Sequence, residues 1–226
     1  MTMRWLFLLL CLHLFGTAAQ AGSISVSPIR ADVPAPSKSA SVTLRNDGAQ
    51  PVNIQIRIFK WALKKGEDHY EETNDVVATP PVATIPPGGD ALVRIMRLDQ
   101  RPVTGEEPYR LIVDEIPDAN RIRNVGVNVA VRYAIPVFFL NGDAAQPRLS
   151  WSIRTEGGKR MLVAVNAGDK SSRISNLRIG STTLRPGLAG YVLGHSTRMW
   201  PLPPHATAAR VLADSDHGVI DAPLSR

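Results

Sequence analysis

The chain is poor in cysteine and in aromatic residues. Cys11 is the only cysteine among 226 residues, and aromatic residues make up 6%. Because Cys11 lies in a leader that we expect to be removed, the mature chain contains no thiol, which excludes disulfides, zinc–thiolate sites, iron–sulfur clusters and thiol catalysis. The 44% of hydrophobic and 20% of charged residues are typical of a globular protein and exclude wholesale disorder.

The one long apolar run lies at the start of the chain. Residues 5–15 are predominantly apolar, they follow Arg4, and Ala19-Gln20-Ala21 supplies the small residues that a signal peptidase reads. We predict that residues 1–21 are a signal peptide, so that the mature chain is secreted or periplasmic. No later run approaches the roughly 20 apolar residues that a membrane-spanning helix needs.

Short β patterns with turns between them fill the rest of the chain. A sustained apolar repeat of helical period is absent, so helices should be few and short. Period-two or β-branched runs fall at residues 24–29, 40–45, 52–61, 91–98, 109–116 and 125–140. Regularly spaced short strands of this kind predict an all-β fold of the sandwich type.

A polar, turn-rich stretch at residues 141–147 divides this pattern into two parts. It follows the apolar Val137-Phe138-Phe139-Leu140, and a smaller set of β patterns comes after it. Each part is long enough to bury a core of its own. We therefore predict an N-terminal domain over residues 22–140, a hinge over 141–146 and a smaller C-terminal β-sandwich domain over 147–226.

Residues that could carry catalysis or bind a metal are scattered along the chain. Four histidines remain in the mature chain and form no ligand pair: His69, His195, His205 and His217. No metal site and no cofactor are therefore expected, and no Gly-x-Ser-x-Gly motif indicates an enzyme. The adjacent acids Glu71-Glu72 and Glu106-Glu107 are interpreted as surface charge. The 26 Lys and Arg residues form no basic run of five or more, which argues against nucleic-acid binding.

The most informative segment is residues 121–139, which include most of a run from Val125 to Leu140 that only Pro136 interrupts. One face of a strand there would carry Val125, Val127, Val129 and Val131, which we call the valine face, and the other face is small or polar. One interpretation is a strand that is half-buried in its own sandwich. The alternative is a strand whose valine face is offered to another protein, and the length of the run, beyond the usual 3–10 residues or so of a strand, favours it.

Short motifs occur in a fixed order along the N-terminal part. They are Val26-Ser27-Pro28-Ile29-Arg30, Val42-Thr43-Leu44-Arg45-Asn46, Ala78-Thr79-Pro80-Pro81, Leu92-Val93-Arg94-Ile95 and Tyr109-Arg110-Leu111-Ile112-Val113-Asp114-Glu115-Ile116-Pro117. In this order, and followed by the alternating strand, they resemble the periplasmic pilus chaperones of the bacterial chaperone–usher pathway. Ile135-Pro136-Val137-Phe138 is similar to the archaic branch, whose pili resemble spore-coat-U-type fibres.

The resemblance implies two immunoglobulin-like β-sandwich domains set at an angle, with a non-enzymatic role in the periplasm. Pilin subunits of this pathway lack their last strand, and the chaperone lends them a strand, whose positions here would be those of the valine face. The implied partners are pilin subunits and an outer-membrane usher. A bare donor strand would be prone to aggregation, so we also expect self-capping, for instance as a dimer, in the free protein.

The resemblance also implies residues that bind the subunit's terminal carboxylate in the cleft between the domains. Arg30 matches the first of two basic residues. The position of the second, usually a lysine, falls on Ala134, so Arg132 is taken as its substitute. Glu115 and Asp216 match acids of an interdomain ionic network, whose usual arginine is absent, with Phe138 near its place.

A second hypothesis is a secreted β-sandwich adhesin or carbohydrate-binding module. It would bind its ligand through exposed aromatic side chains, for which the candidates are Trp61, Tyr70, Trp151 and Trp200. These four residues are scattered along the sequence and not clustered, so this hypothesis is the less favoured one.

Overall fold

The computed structural model of the chain describes residues 24–117, 130–204, 206 and 209–225. Within these ranges there are strands and no helix, which confirms the all-β prediction, and none of them forms a helix that could span a membrane. The strands are β1 (Ile24–Ser27), β2 (Ala31–Pro34), β3 (Ser39–Asn46), β4 (Val52–Lys64), β5 (Glu67–Glu71), β6 (Val76–Thr79), β7 (Val82–Ile85), β8 (Asp90–Arg97), β9 (Glu106–Ile116), β10 (Arg132–Leu140), β11 (Leu149–Glu156), β12 (Lys159–Asn166), β13 (Ser172–Ile179), β14 (Thr182–Val192), β15 (Thr197–Pro201), β16 (Arg210–Ser215) and β17 (Gly218–Ser225).

The strands up to β10 form two sheets that enclose one core. One sheet has the order β1-β3-β8-β6, and the other has the order β2-β10-β9-β4-β5, with β7 also paired to β4. In β8, Val93 and Ile95 are fully buried whereas Leu92 and Met96 are exposed, so the period-two pattern turns one apolar face to the core. The core includes Leu44, Ile54, Ile85, Ile95, Leu111, Val137 and Phe139.

The N-terminal segment changes sheets. β1 pairs antiparallel with β3 in the first sheet, whereas β2 pairs parallel with β10 in the second. The crossing consists of Pro28-Ile29-Arg30, so Arg30 stands at the edge where the two sheets approach each other. β2 pairs with β10 only from Val137 onward, directly after Pro136, which has no N–H to give to a ladder.

The strands from β11 onward form a second unit. Their order is β14-β13-β16-β17-β11-β12-β15, and β17 joins its two halves by pairing antiparallel with β16 and parallel with β11. Trp151 stacks on Trp200 in the core of this unit, with the ring centroids 5.7 Å apart. Eight residues connect the two units, because β10 ends at Leu140 and β11 begins at Leu149.

The same asparagine turn closes a strand in both units. At the end of β3, the buried Asn46 side chain donates to the carbonyls of Gln50 and Ile85 and accepts from the amide of Gly48. At the end of β12, Asn166 donates to the carbonyls of Lys170 and Val192 and accepts from the amide of Gly168. The amide side chain therefore satisfies backbone groups that the strand end leaves unpaired inside the protein.

Candidate functional site in the cleft between the domains

An aromatic cluster lies where the two domains meet. We call the unit of strands β1 to β10 domain one and the unit of strands β11 to β17 domain two. Trp61 of β4 and Phe138 of β10 come from domain one, and Tyr191 of β14 and Leu193 come from domain two. Trp61 meets the edge of Tyr191 at a centroid distance of 5.3 Å, and Phe138 lies 6.0 Å from Tyr191. Phe138 faces this cluster because its neighbours Val137 and Phe139 alternate to the opposite side of β10, into the core of domain one.

Arg30 covers one side of this cluster. Its guanidinium carbon lies 4.5 Å from the centroid of the Phe138 ring and 6.0 Å from that of Tyr191, which are cation–π distances. Nε donates to Asp32 at 2.9 Å, and Nη1 donates to Asp216 at 2.7 Å. Burial lowers the pKa of Arg30, but the hydrogen bond and charge of Asp32, together with Asp216, outweigh it and raise the pKa. Arg30 therefore stays a cation in the cleft.

Asp216 belongs to the turn between β16 and β17, in domain two. Its Oδ2 accepts from Arg30, and its Oδ1 accepts from the backbone amide of Arg173 at 2.9 Å. The structure thus places Asp216 at an ion pair between the domains, with Arg30 as its partner.

Arg110 covers the other side of the aromatic cluster. Its guanidinium carbon stands 3.6 Å above the Trp61 ring and 5.6 Å from the centroid of Tyr191. The residue is 7% exposed, and Nη1 donates to the carbonyl of Ala134 at 3.3 Å. Among the described residues no carboxylate forms an ion pair with it, and its Nε is buried without an acceptor. Burial lowers the pKa of Arg110.

Sequence reasoning missed Arg110, although the residue stands in one of the motifs. Within the segment Tyr109-Arg110-Leu111-Ile112-Val113 of β9, it is the single charge, and the other four residues are apolar and buried. A lone arginine in such a segment is the signal that could have identified it, because charged side chains are rarely fully buried unless they are paired.

Glu106 and Glu107 are not the surface charges that we predicted. The Glu106 side chain accepts through Oε1 from the backbone amide of Ser171 in domain two at 2.9 Å, and its Oε2 is buried without a partner in the described residues. Burial raises the pKa of Glu106 to about 7. Glu107 accepts two hydrogen bonds from the buried Arg97, at 2.7 and 2.8 Å. The prediction was wrong because these adjacent residues of β9 each have a specific partner: Glu106 contacts Ser171 of domain two, and Glu107 binds the buried Arg97.

The structure does not bring Arg132 to the cleft. Arg132 is exposed near the start of β10 and pairs with Asp114, which also binds Arg57. Burial opposes the ionisation of Asp114, but hydrogen bonds from Arg132 and Arg57 outweigh it and lower the pKa. Arg30 contacts β10 at Phe138, six residues further along the strand, so the two arginines lie at opposite ends of β10. The predicted pair of Arg30 and Arg132 is corrected accordingly, and the basic residue beside Ala134 is Arg110.

Glu115 and Asp216 are likewise far from each other. Glu115 is the last residue but one of β9, whereas Glu106, at the other end of that strand, is the residue that contacts domain two. The Glu115 amide donates to the carbonyl of Val131, and burial raises the pKa of its carboxyl. The expectation that Glu115 joins an interdomain network is therefore wrong, because Glu115 and the contact with domain two at Glu106 lie at opposite ends of the eleven-residue strand β9.

The described part of the predicted donor strand lies along an open edge of the sheet. Val125, Val127 and Val129 lie outside the described residues, and Val131 is half-buried. Tyr133, Ile135, Val137 and Phe139 continue the same face of β10 and pack on the core of domain one. On the edge that faces β2, no described strand pairs with β10 before Val137. Val131, the one described residue of the valine face, thus precedes the core-facing residues of β10 and lies before the point where β2 covers the strand.

The aromatic residues of the second hypothesis are mostly inaccessible. Trp61, Trp151 and Trp200 are 1%, 2% and 3% exposed, and Tyr70 alone of the four is exposed, at 40%. Trp151 and Trp200 lie in the core of domain two, and Trp61 packs against the guanidinium of Arg110. The described residues therefore offer no aromatic platform for a sugar ring. They also contain no group of three or more His, Cys, Asp or Glu side chains that could hold a metal ion.

Comparison with known families assigns the N-terminal half of the chain. Residues 23–140 match the family of pili and flagellar-assembly chaperones through its PapD N-terminal domain. The chain belongs to this family of chaperones, and its two sandwiches are the immunoglobulin-like domains expected from the sequence. The comparison with curated protein sequences gave no match.

Solved structures extend the likeness to both domains. A chain of the CsuC–CsuE chaperone–tip adhesin subunit pre-assembly complex, from the archaic Csu pili of Acinetobacter baumannii, is 29% identical, with 89% of this chain and 96% of that chain covered and a TM-score of 0.75. The E. coli chaperone DraB is 21% identical, with 90% and 97% covered and a TM-score of 0.64. A chain of the Salmonella enterica SafA pilin–SafB chaperone complex is 16% identical, with 92% and 99% covered and a TM-score of 0.67. The last two likenesses bear on the fold.

Proposed function

We propose that the chain is a periplasmic chaperone that binds incomplete pilus subunits by donor-strand complementation, prevents their aggregation and delivers them to an outer-membrane usher. The observation that carries this proposal is the open edge of β10 beside a cleft with two arginines. Membership of the chaperone family and the 29% identity to a chain of a chaperone–subunit complex support it.

The energetics of a lent strand suit this role. Backbone hydrogen bonds along the open edge would give affinity for any subunit that lacks a strand, and the alternate side chains would fill its groove. Four valines, fully buried at roughly 1.5–3 kcal/mol each, contribute on the order of 6–12 kcal/mol before the cost of ordering is subtracted. A complex of this strength would be stable, and the subunit could still be released from it during delivery.

The two arginines would bind the terminal carboxylate of the subunit. Arg30 keeps Nη2 free of acceptors among the described residues, and Arg110 has no carboxylate partner there. A guanidinium can bind a carboxylate through two parallel hydrogen bonds. We assign Arg30 and Arg110 as the anchors, so that the end of the subunit fixes the register of the lent strand.

The same features imply the other partners. An unpaired edge with an apolar face is a template for association, and the free chaperone would cover it by pairing with a second copy. The signal peptide, residues 1–21, would bring the chain to the periplasm, where pilus subunits arrive and where an usher in the outer membrane receives the complex.

Co-expression with pilus subunits of the same organism tests this function. The parent chain is expected to co-purify with a subunit as a soluble one-to-one complex. Val127→Asp and Val129→Asp should abolish that complex, whereas the matched control Asn128→Asp places the same charge on the opposite face and should retain it. Circular dichroism of each variant alone establishes that it is folded. Complexes that survive both valine substitutions would contradict the donor-strand assignment.

A further inference from the structure

An ion pair crosses from domain one to domain two beside the cleft. Asp68 of β5 accepts from Nη1 and Nη2 of Arg198 of β15, at 2.7 and 3.1 Å. The two side chains are 31% and 13% exposed, so water is partly excluded from the pair. A bidentate pair of this kind has a defined geometry and is stronger than a solvent-exposed contact.

The carboxylate of Asp68 also accepts a hydrogen bond from Trp61, the residue against which Arg110 packs. Nε1 of Trp61 donates to Oδ1 of Asp68 at 2.9 Å, the oxygen that also accepts from Arg198. Because the Trp61 ring lies 3.6 Å below the Arg110 guanidinium, direct contacts run from Arg198 through Asp68 and Trp61 to Arg110. Arg110 itself has no carboxylate partner among the described residues that could orient it.

A glycine makes room for this arrangement. Gly190 has a φ of +123°, and a Cβ there would stand 2.7 Å from Cζ of Arg198 and 2.8 Å from its Nε. Its neighbour Tyr191 packs edge-on against Trp61. The backbone of β14 thus approaches Arg198 closely enough that any side chain at this position would displace the guanidinium.

A second contact keeps the β4–β5 hairpin on domain two. The carbonyl of Gly66, in the turn of the hairpin, accepts from the backbone amide of Met199 at 3.1 Å. Gly66 has a φ of +80°, and a Cβ there would stand 2.5 Å from Cγ of Met199. The hairpin therefore contacts β15 through backbone as well as through the Asp68–Arg198 pair.

On the basis of the proposed function, we propose that Asp68 and Arg198 are positioning residues of the carboxylate site. Their ion pair holds Trp61, and with it Arg110, against domain two. Arg110 therefore contacts the carboxylate of the subunit only while the two domains keep their present relative orientation.

The binding experiment compares Arg198→Gln with Arg198→Lys and with the control Arg210→Gln. Arg210 forms an ion pair with Asp221 inside domain two, so its loss leaves the cleft intact. Affinity is measured for the pilus subunit that co-purifies with the parent chain. Arg198→Gln should weaken binding about tenfold, as expected for residues in one network, Arg198→Lys should weaken it less, and Arg210→Gln should not change it. In an Arg110→Met background Arg198→Gln should have no further effect. An equal loss in both backgrounds, or none in the parent, overturns the inference.

A distance measurement tests the same inference without a subunit. The mature chain has no cysteine, so spin labels at Ser41→Cys and Thr155→Cys report on one exposed position in each domain. Arg198→Gln should broaden the distance distribution, and Arg210→Gln should leave it unchanged. A parent chain that binds no subunit would contradict the proposed function alone, whereas an Arg198→Gln distribution as narrow as the parent's would overturn the inference alone.

Discussion

The guanidinium carbon of Arg110 lies 3.6 Å from the centroid of the Trp61 ring, and both residues are buried at the junction of the domains. Removing a cation from water is costly unless a carboxylate compensates it, and none of the described residues forms an ion pair with Arg110. Burial lowers the pKa of Arg110 and outweighs the charge of Asp68, which favours the cation. Buried cations with a perturbed pKa concentrate at functional sites. The cleft therefore holds a charge that a bound anion would satisfy.

Replacing Arg110 separates its role in binding from its role in folding. Arg110→Met keeps a long apolar side chain on Trp61 and removes the uncompensated charge, so the free energy of unfolding should be unchanged or higher. Affinity for the pilus subunit should fall at least about tenfold, because the subunit's carboxylate would lose a partner. Denaturant unfolding and a binding titration measure the two quantities, with the exposed Arg45→Met as control. A destabilised variant that binds normally would show that Arg110 is a structural residue.

Glu106 makes the stability of the interface depend on pH. Burial raises the pKa of its carboxyl from 4.5 to about 7, while the hydrogen bond from Ser171 and the charge of Arg30 oppose this rise and the charge of Asp32 adds to it. The folded chain therefore keeps a proton that the unfolded chain loses, so this contribution to the free energy of unfolding is complete below about pH 4.5 and is lost as the pH rises through about 7.

The variant Glu106→Gln tests this dependence. Glutamine stays neutral and can still accept from the Ser171 amide, so the variant should be more stable than the parent at pH 8, by on the order of 1–3 kcal/mol, and about equally stable at pH 4. Thermal or denaturant unfolding across pH 4–8 measures the difference, with the exposed Glu72→Gln as control. If the free energies of unfolding of the parent and of Glu106→Gln change in parallel with pH, Glu106 ionises with an ordinary pKa and the account of this residue is wrong.

The asparagine turns should be equally important in both domains. Asn46→Ala removes side-chain hydrogen bonds to two carbonyls and one amide, and Asn166→Ala removes those to two carbonyls and two amides. In each domain one of these carbonyl hydrogen bonds, to Ile85 or to Val192, is buried. Each substitution is expected to lower the free energy of unfolding by about 2–4 kcal/mol, since an unsatisfied buried group costs roughly 1–3 kcal/mol. Denaturant unfolding measures the loss. A change well below 1 kcal/mol in either variant would indicate that water reaches the turn.

The sequence predicted the architecture because each domain repeats one simple pattern. Residues of β8 alternate between core and solvent, so the period of two alone identifies the strand and its buried face. Arg30 was found through the resemblance, as a residue of the Pro28-Ile29-Arg30 segment, and the structure places it where the chain changes sheets.

The cleft was predicted less completely because its residues come from strands that are distant in the sequence. Arg110 of β9, Trp61 of β4 and Tyr191 of β14 meet only after the two domains pack together. No pattern within one strand shows which polar residue will face the other domain. For the same reason Glu115 was chosen in place of Glu106, although both are acids of β9 and only Glu106 reaches domain two.

Thiol accessibility along the proposed donor strand tests the central claim most directly, since Cys11, the one cysteine of the sequence, lies in the predicted signal peptide. Single cysteines at positions 125 to 131 are labelled in the free chaperone and in its complex with the pilus subunit. We predict that positions 125, 127, 129 and 131 become protected on binding while 126, 128 and 130 stay reactive. Odd positions that are already fully protected in the free monomer, or reactivities that do not change in the complex, would contradict the account.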